Sequence, residues 1–396
     1  MKLNPWTRGL LAVGIISLPA VTPADEPEKP TFVETALTQT TLSGYIDTAM
    51  IWKFGTGNAN MPGRVYDGAD VQDGFNLSVV SLTLEKPLDE GQWSAGYRVQ
   101  MLLGPGARKR GTGTITGDGE IAFNEAVVLL RAPVGNGIDL KVGQFGTYNG
   151  YEAYDTYKNP NWSRSYGFYI ESSAHTGVSA TYQVTEGVTL MAGVGNTASF
   201  SNGVDARSTT ESKKAYLGMI TLTAPESWGF LKGASLSAGY TGGVNNGVGE
   251  PWVENWYVGA SIPTPLDWLT VGLAWDYTDN IPTATNPAGE RGARAYAAAA
   301  YLVAQATEKL KIAGRLDYGH GSNEAFGFTS SSDDPRNELI SYTATLDYSL
   351  WKNVISRVEF RWDHCLSSDT PFGGSTAGTG TDKNAMSVNL NVIYQF

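Results

Sequence analysis

Charged side chains alternate with bulky apolar ones at several places in this chain, and the alternation assigns them a common face. Arg98 lies between Tyr97 and Val99, Lys141 between Leu140 and Val142, and Arg315 between Gly314 and Leu316. Arg357, Glu359 and Arg361 alternate with Val358, Phe360 and Trp362. An extended strand throws successive side chains to opposite faces, so the charges share one face and the apolar row covers the other. Such a polar face can pair with carboxylates, order water or set up a field across an aqueous space. Two further carboxylates, Glu152 and Asp155, stand three apart among Tyr148, Tyr151, Tyr154, Tyr157, Trp162, Tyr166, Phe168 and Tyr169. A single helical turn would put both on one side, where they could confront Arg98, Lys141, Arg315, Arg357 or Arg361. These seven residues are the candidates for a charge-lined constriction. Pairing with Asp317, Glu359 or Asp47 would instead leave the cations without a selective role.

Catalysis has little to work with. His175, His320 and His364 fall on unrelated segments, and no HExxH, nucleophile elbow or histidine cluster occurs. His364 follows Asp363, but adjacent strand residues face opposite ways, so that pair cannot cooperate. The one cysteine, Cys365, permits no internal disulfide and no Cys-based metal or haem site. The chain reads as a non-enzyme with no cofactor and no metal. Its formal charge of −11 becomes −13 once Lys2 and Arg8 are removed with residues 1–24. That balance lacks the basic footprint nucleic acid requires, and it favours cations in any passage lined by the carboxylates.

The elements that must position these residues are strands. Period-2 runs bounded by Gly, Pro, Asn and Asp predict sixteen of them, near 41–54, 75–86, 91–103, 120–131, 137–147, 174–184, 188–198, 213–223, 231–242, 253–263, 267–278, 292–304, 308–319, 337–349, 353–364 and 384–396. The run at 292–304 is ambiguous, because Tyr296-Ala-Ala-Ala-Ala-Tyr301 suits a helical turn by propensity. Connections alternate between short turns, such as 132–136 and 185–187, and long ones, such as 55–74 and 148–173. That alternation, with 47 Gly and a charged fraction of 17% against about 25% in soluble domains, predicts an all-β transmembrane antiparallel barrel. Sixteen strands leave an aqueous channel, and an even count puts both termini at the short-turn end.

Both ends of the chain agree with export to a membrane. From Met386 to Phe396 an apolar row, including Tyr394, alternates with Ser387, Asn389, Asn391 and Gln395, broken only by Ile393. Bacterial barrels resemble this ending, whose terminal Phe396 and neighbouring Tyr394 would form the signal read by the barrel-assembly machinery. At the other end, Lys2 and Arg8 precede the apolar residues 9–21 and Thr22-Pro23-Ala24, the pattern of a cleaved signal peptide. No segment supplies the roughly 20 apolar residues a spanning helix needs. The expected organisation is a signal peptide at 1–24, a periplasmic leader at 25–40 and the barrel at 41–396.

The segment Val142-Gly-Gln-Phe145-Gly-Thr147-Tyr-Asn-Gly150-Tyr-Glu152, followed by Ser163-Arg164-Ser165 and His175-Thr176-Gly177, resembles the porin-type outer-membrane barrel family of OmpL-like proteins (β-barrel porin-2). Ser43-Gly44-Tyr45-Ile46-Asp47-Thr48 and Leu82-Thr-Leu84-Glu-Lys86-Pro87 extend the likeness, which runs from about Leu42 to Phe396. Gln144 and Ala174 depart from it, standing where Lys and Thr are commoner.

The resemblance implies a diffusion channel for small hydrophilic solutes and ions in the outer membrane of a Gram-negative-type bacterium. Segment 148–173, the third loop of the external side, would fold into the lumen as it does in the general porins this architecture resembles. Outer-membrane lipid, lipopolysaccharide and the assembly machinery are the implied partners, with Arg108-Lys109-Arg110 in reach of lipopolysaccharide phosphates; a homotrimer is compatible. The competing reading is a structural or adhesive barrel whose external loops bind a partner.

Overall fold

The computed structural model describes residues 39–396 except 56, 61–67, 90–92, 111–119, 199–207, 209–211, 246–250, 282–291, 323 and 328–335. The expected signal peptide and the leader as far as residue 38 lie outside the described residues.

Sixteen strands form one closed antiparallel barrel in which each strand pairs with its chain neighbours and the last pairs with the first. They are β1 (Thr41–Phe54), β2 (Gly74–Lys86), β3 (Ser94–Leu103), β4 (Ile121–Ala132), β5 (Ile138–Gly146), β6 (Ala174–Thr185), β7 (Val188–Gly195) and β8 (Ala215–Thr223). The second half comprises β9 (Ser235–Val244), β10 (Trp252–Pro263), β11 (Leu269–Ile281), β12 (Ala293–Gln305), β13 (Leu310–Ser322), β14 (Arg336–Trp351), β15 (Val354–Cys365) and β16 (Asn384–Gln395). Two short helices lie in connections, α1 (Pro105–Arg110) and α2 (Tyr166–Ile170). The side chains of Arg108, Lys109 and Arg110, for which a phosphate contact is expected, lie outside the described residues.

The period-2 pattern decides which face is which. On β15, Arg357, Glu359, Arg361 and Asp363 are buried within the barrel, whereas Val358 is 47% and Phe360 37% exposed on its outside. An Arg or Lys on a lipid face would cost about 2–4 kcal/mol at the midplane, so the polar row points inward. Exposed aromatics gather at both rims: Trp52, Phe54, Phe75, Tyr216 and Trp252 at the long-loop ends of their strands, and Trp93, Trp228, Phe230, Trp268, Trp351, Tyr394 and Phe396 at or beside the short turns. Aromatic girdles at two interfaces are what a membrane barrel uses.

Two departures from the expected boundaries have local causes. β9 begins at Ser235 rather than near 231, because Glu226–Leu231 forms a 3-10 turn kinked at Gly229 (φ 62°). The alanine-rich run is a strand, not a helix, because its neighbours supply ladder partners on both sides. Its inward residues Ala293, Ala295, Ala297 and Ala299 are buried. Their small size makes room for Tyr166, Ile170 and Phe326, which join Ala293, Ala295 and Ala297 in one apolar cluster. Ile393, the break in the terminal alternation, is likewise buried, in a cluster with Tyr45, Ile51, Leu102 and Trp162.

Candidate functional site

The connection between β5 and β6, residues 147–173, is tied to strands around most of the barrel. Its start is held by Tyr148 Oη with Ser179 Oγ of β6 (2.8 Å) and by Asn149 Nδ2 donating to Asn255 Oδ1 of β10 (2.6 Å). Tyr45 Oη of β1 (3.1 Å) and Gln100 Nε2 of β3 (2.8 Å) both donate to Asp155 Oδ1. Thr156 donates to Asp47 of β1, and Asn161 Nδ2 to Thr345 Oγ1 of β14 (2.7 Å). Glu359 of β15 accepts the backbone N–H groups of Trp162 (2.6 Å) and Ser163 (2.9 Å). Toward the end of the segment, Tyr166 Oη donates to Asp363 Oδ1 (2.8 Å) and Thr278 Oγ1 of β11 donates to the Ile170 carbonyl (2.7 Å).

Glu152 and Asp155 do not share a helical turn. The local 3-10 turn covers Thr156–Lys158, one residue beyond them. The Asn159 amide replaces helical bonds upstream, accepting from Ala153 N (2.7 Å) and donating to the Ala153 carbonyl (2.7 Å). The two carboxylates therefore face different walls. Glu152 pairs with Arg315 Nη1 (2.8 Å) and accepts Ser165 N (2.7 Å). Asp155 pairs with Lys158 Nζ (2.7 Å). Burial opposes its ionisation, but the Lys158 ammonium and the Gln100 amide together hold it below the usual carboxylate range.

The five candidate cations divide into two groups. Arg315, Arg357 and Arg361 have fully buried side chains. Arg315 pairs with Asp317 (2.8 Å) and donates to the Ser163 (2.6 Å) and Arg164 (2.9 Å) carbonyls. Arg357 pairs with Asp347 (2.7 Å) and donates to the Thr156 (2.8 Å) and Asn159 (3.1 Å) carbonyls. Arg361 pairs with Asp363 (2.8 Å) and donates to the Arg164 carbonyl. Arg98 and Lys141 retain side-chain exposures of 24% and 21%. Both pair with Glu125, at 2.9 and 2.6 Å, instead of with the loop carboxylates.

Sequence reasoning missed several partners. Asp363 and Asp347 share the inward parity of Arg361 and Thr345, so counting alternate positions would have found them. Glu125 is harder: the β3–β4 register skips Asn124, and this bulge shifts the parity of the strand. The histidines do not meet. His175 Nδ1 contacts the Thr197 carbonyl (3.1 Å), His320 stacks on Tyr296, and His364 Nδ1 contacts Asn384 Oδ1 (2.8 Å). Among the described residues no group of His, Cys, Asp and Glu is placed to hold a metal ion.

Glu171 makes the end of the segment sensitive to pH. Burial, then the Asp276 carboxylate of β11 and then Glu152, push its carboxyl well above the usual range; Tyr257 of β10 also faces it. The Glu171 carboxyl also sits tightly against Gly150 (φ 116°), where a Cβ would meet its Oε2 at 2.2 Å. A raised value in the folded state means that protonation stabilises this seat. The contribution is complete below the ordinary glutamate value of 4.5 and is lost as pH rises through the raised value. Open-channel current noise should therefore grow toward alkaline pH in the parent and grow less in Glu171→Gln. Noise with the same pH dependence in both would contradict this.

Comparison with known proteins places the architecture. No curated protein sequence matches the chain. Among solved structures, the outer membrane channel DcaP of Acinetobacter baumannii aligns with a TM-score of 0.57 at 12% identity, covering 90% of this chain and 97% of that one. An anion-selective porin from Comamonas acidovorans gives 0.57 at 14% identity, over 90% and 99%. The trimer form of OmpT from Vibrio cholerae gives 0.54 at 9%, over 90% and 99%. At these identities the likeness establishes the fold alone. Family membership rests on the sequence: residues 39–396 match the family described as "Putative beta-barrel porin-2, OmpL-like", and the chain belongs to it.

Proposed function

We propose that this outer-membrane porin passes small hydrophilic solutes and ions by diffusion, and that segment 148–173 folds into its lumen as the constriction. The observation that carries the reading is the reach of that segment. Its groups bond to inward-facing residues of β1, β3, β6, β10, β11, β13, β14 and β15. A loop resting outside the barrel could not touch all of these walls. Burial separates the roles of the seven candidates. Glu152, Asp155, Arg315, Arg357 and Arg361 hold the loop against the wall, while the partly exposed Arg98 and Lys141 face the remaining water path and set its charge.

The finer assignments follow the same logic. Long loops face the exterior and short turns the periplasm, with residues 1–24 removed on export. Tyr394 and Phe396 serve assembly, and the apolar exterior faces lipid and lipopolysaccharide. The trimeric Vibrio neighbour supports a homotrimer. Liposomes carrying the purified barrel should swell rapidly in small neutral sugars and slowly in oligosaccharides of rising mass. Absence of swelling in every sugar would favour a structural or adhesive barrel whose lumen the loop seals.

A further inference from the structure

We propose that the lumen contains a subsite for small organic anions with a flat apolar body, formed between segment 148–173 and the wall from β8 to β13. The inference rests on the porin reading and names the solute class the passage selects. A cavity of about 420 Å³ lies there, lined by Tyr148, Tyr151 and Lys158 of the loop and by Met219, Tyr257 and Lys311 of the wall, among others. Its size falls within the roughly 300–1,000 Å³ of ligand pockets.

The charge of the lining is one-sided. Lys158 and Lys311 are its charged groups, and among the described residues it includes no carboxylate. Each lysine also pairs with a carboxylate just outside the lining: Lys158 Nζ is 2.7 Å from Asp155, and Lys311 Nζ is 3.3 Å from Asp347. Asp347 is also bound by Arg357 at 2.7 Å, so two cations share one carboxylate, and the Glu171 carboxyl beside Gly150 of the lining is pushed by burial toward its neutral form. An incoming anion is favoured here even though the whole chain is acidic. The local lining, not the total charge, sets the field at this depth.

The aromatic wall is fitted. Tyr151 stacks on Tyr301 with ring centroids 4.4 Å apart, and Tyr148 is held by Ser179. Burial pushes the Tyr151 hydroxyl up to about 12, so it remains a neutral donor. Glycines make the space: a Cβ at Gly272 would meet Tyr151 Oη at 2.1 Å, and one at Gly259 would meet Tyr257 Oη at 1.8 Å. Rings oriented before binding lose little entropy when a flat body packs between them. Two ammonium groups and three tyrosine rings in one lining fit a carboxylate joined to a ring.

Benzoate is a suitable probe, with benzamide as its neutral isostere and acetate as the anion without a ring. Isothermal titration into the detergent-solubilised barrel should show benzoate binding at least about tenfold more tightly than either. Lys311→Gln and Lys158→Gln should each weaken benzoate by a similar factor, and Tyr151→Leu should weaken benzoate but not acetate. Equal binding of benzoate and benzamide, or unchanged affinity in both lysine variants, would overturn the subsite. Because titration does not require conductance, the two readings fail separately. Benzoate binding by a silent barrel would remove the porin reading, and a conducting barrel indifferent to benzoate would remove the subsite.

Discussion

Deleting Phe396 should reduce the assembled barrel in outer-membrane fractions by roughly tenfold or more, because an exported chain that the assembly machinery does not take up keeps its strand edges exposed to aggregation and proteolysis. Phe396 closes the seam from the carboxy-terminal side. Its N–H donates to the Gly44 carbonyl (3.0 Å), and its own carbonyl accepts Gly44 N–H (2.9 Å). The ring also packs over Gly44, where a Cβ would lie 2.8 Å from Phe396 Cζ and 2.2 Å from the Ser81 carbonyl. The remaining seam, from Tyr45↔Gln395 to Phe54↔Met386, is long enough to persist without it. Two effects are therefore separable. The truncated chain should still refold into a heat-modifiable band in detergent, while in cells it is lost at assembly. Unchanged levels of heat-modifiable barrel in outer-membrane fractions would show that Phe396 is not the assembly signal.

If segment 148–173 is the constriction proposed above, replacing residues 150–162 by a short glycine linker should raise single-channel conductance roughly twofold or more, since a channel of this strand number is wide without it. The deletion removes Glu152, Asp155, Thr156, Asn159, Asn161 and Trp162, which are among the residues that reach β1, β3, β13, β14 and β15. It leaves Arg315 with Asp317, Arg357 with Asp347 and Arg361 with Asp363. The wall thus keeps paired charges that water can solvate, and the barrel ladder itself is untouched. Selectivity for neutral solutes by size should relax in parallel. A variant that assembles and conducts like the parent would move the constriction elsewhere.

The barrel was legible in the sequence because its strands obey a period of two on both faces, inward polar and outward apolar. β1 matches its expected bounds of 41–54 at both ends, and the other strands shift by a few residues. The ambiguous 292–304 run shows where propensity fails. Ala-rich sequence favours a helix only until neighbouring strands supply ladder partners and Tyr166, Ile170 and Phe326 pack against its small side chains. Segment 148–173 was legible as important, through its aromatic content and length, but not in its contacts. It has no periodicity, and many of its bonds to the wall run through backbone groups, such as the Glu359 contacts with Trp162 and Ser163 N–H. Composition cannot reveal these. Parity assigned inward faces to Arg315, Arg357 and Arg361, but could not distinguish their fully buried side chains from the partly exposed Arg98 and Lys141. The bulge at Asn124 concealed Glu125, the partner of Arg98 and Lys141, for the same reason: parity counting assumes an unbroken register.

The most direct test of channel function is a planar-bilayer recording of the purified parent protein. Discrete, stable steps of current, ohmic at low voltage and larger in the 150–162 replacement, are the expected result. Silence across many insertions, with the protein shown to be folded by its heat-modifiable mobility, would contradict an open passage through this barrel.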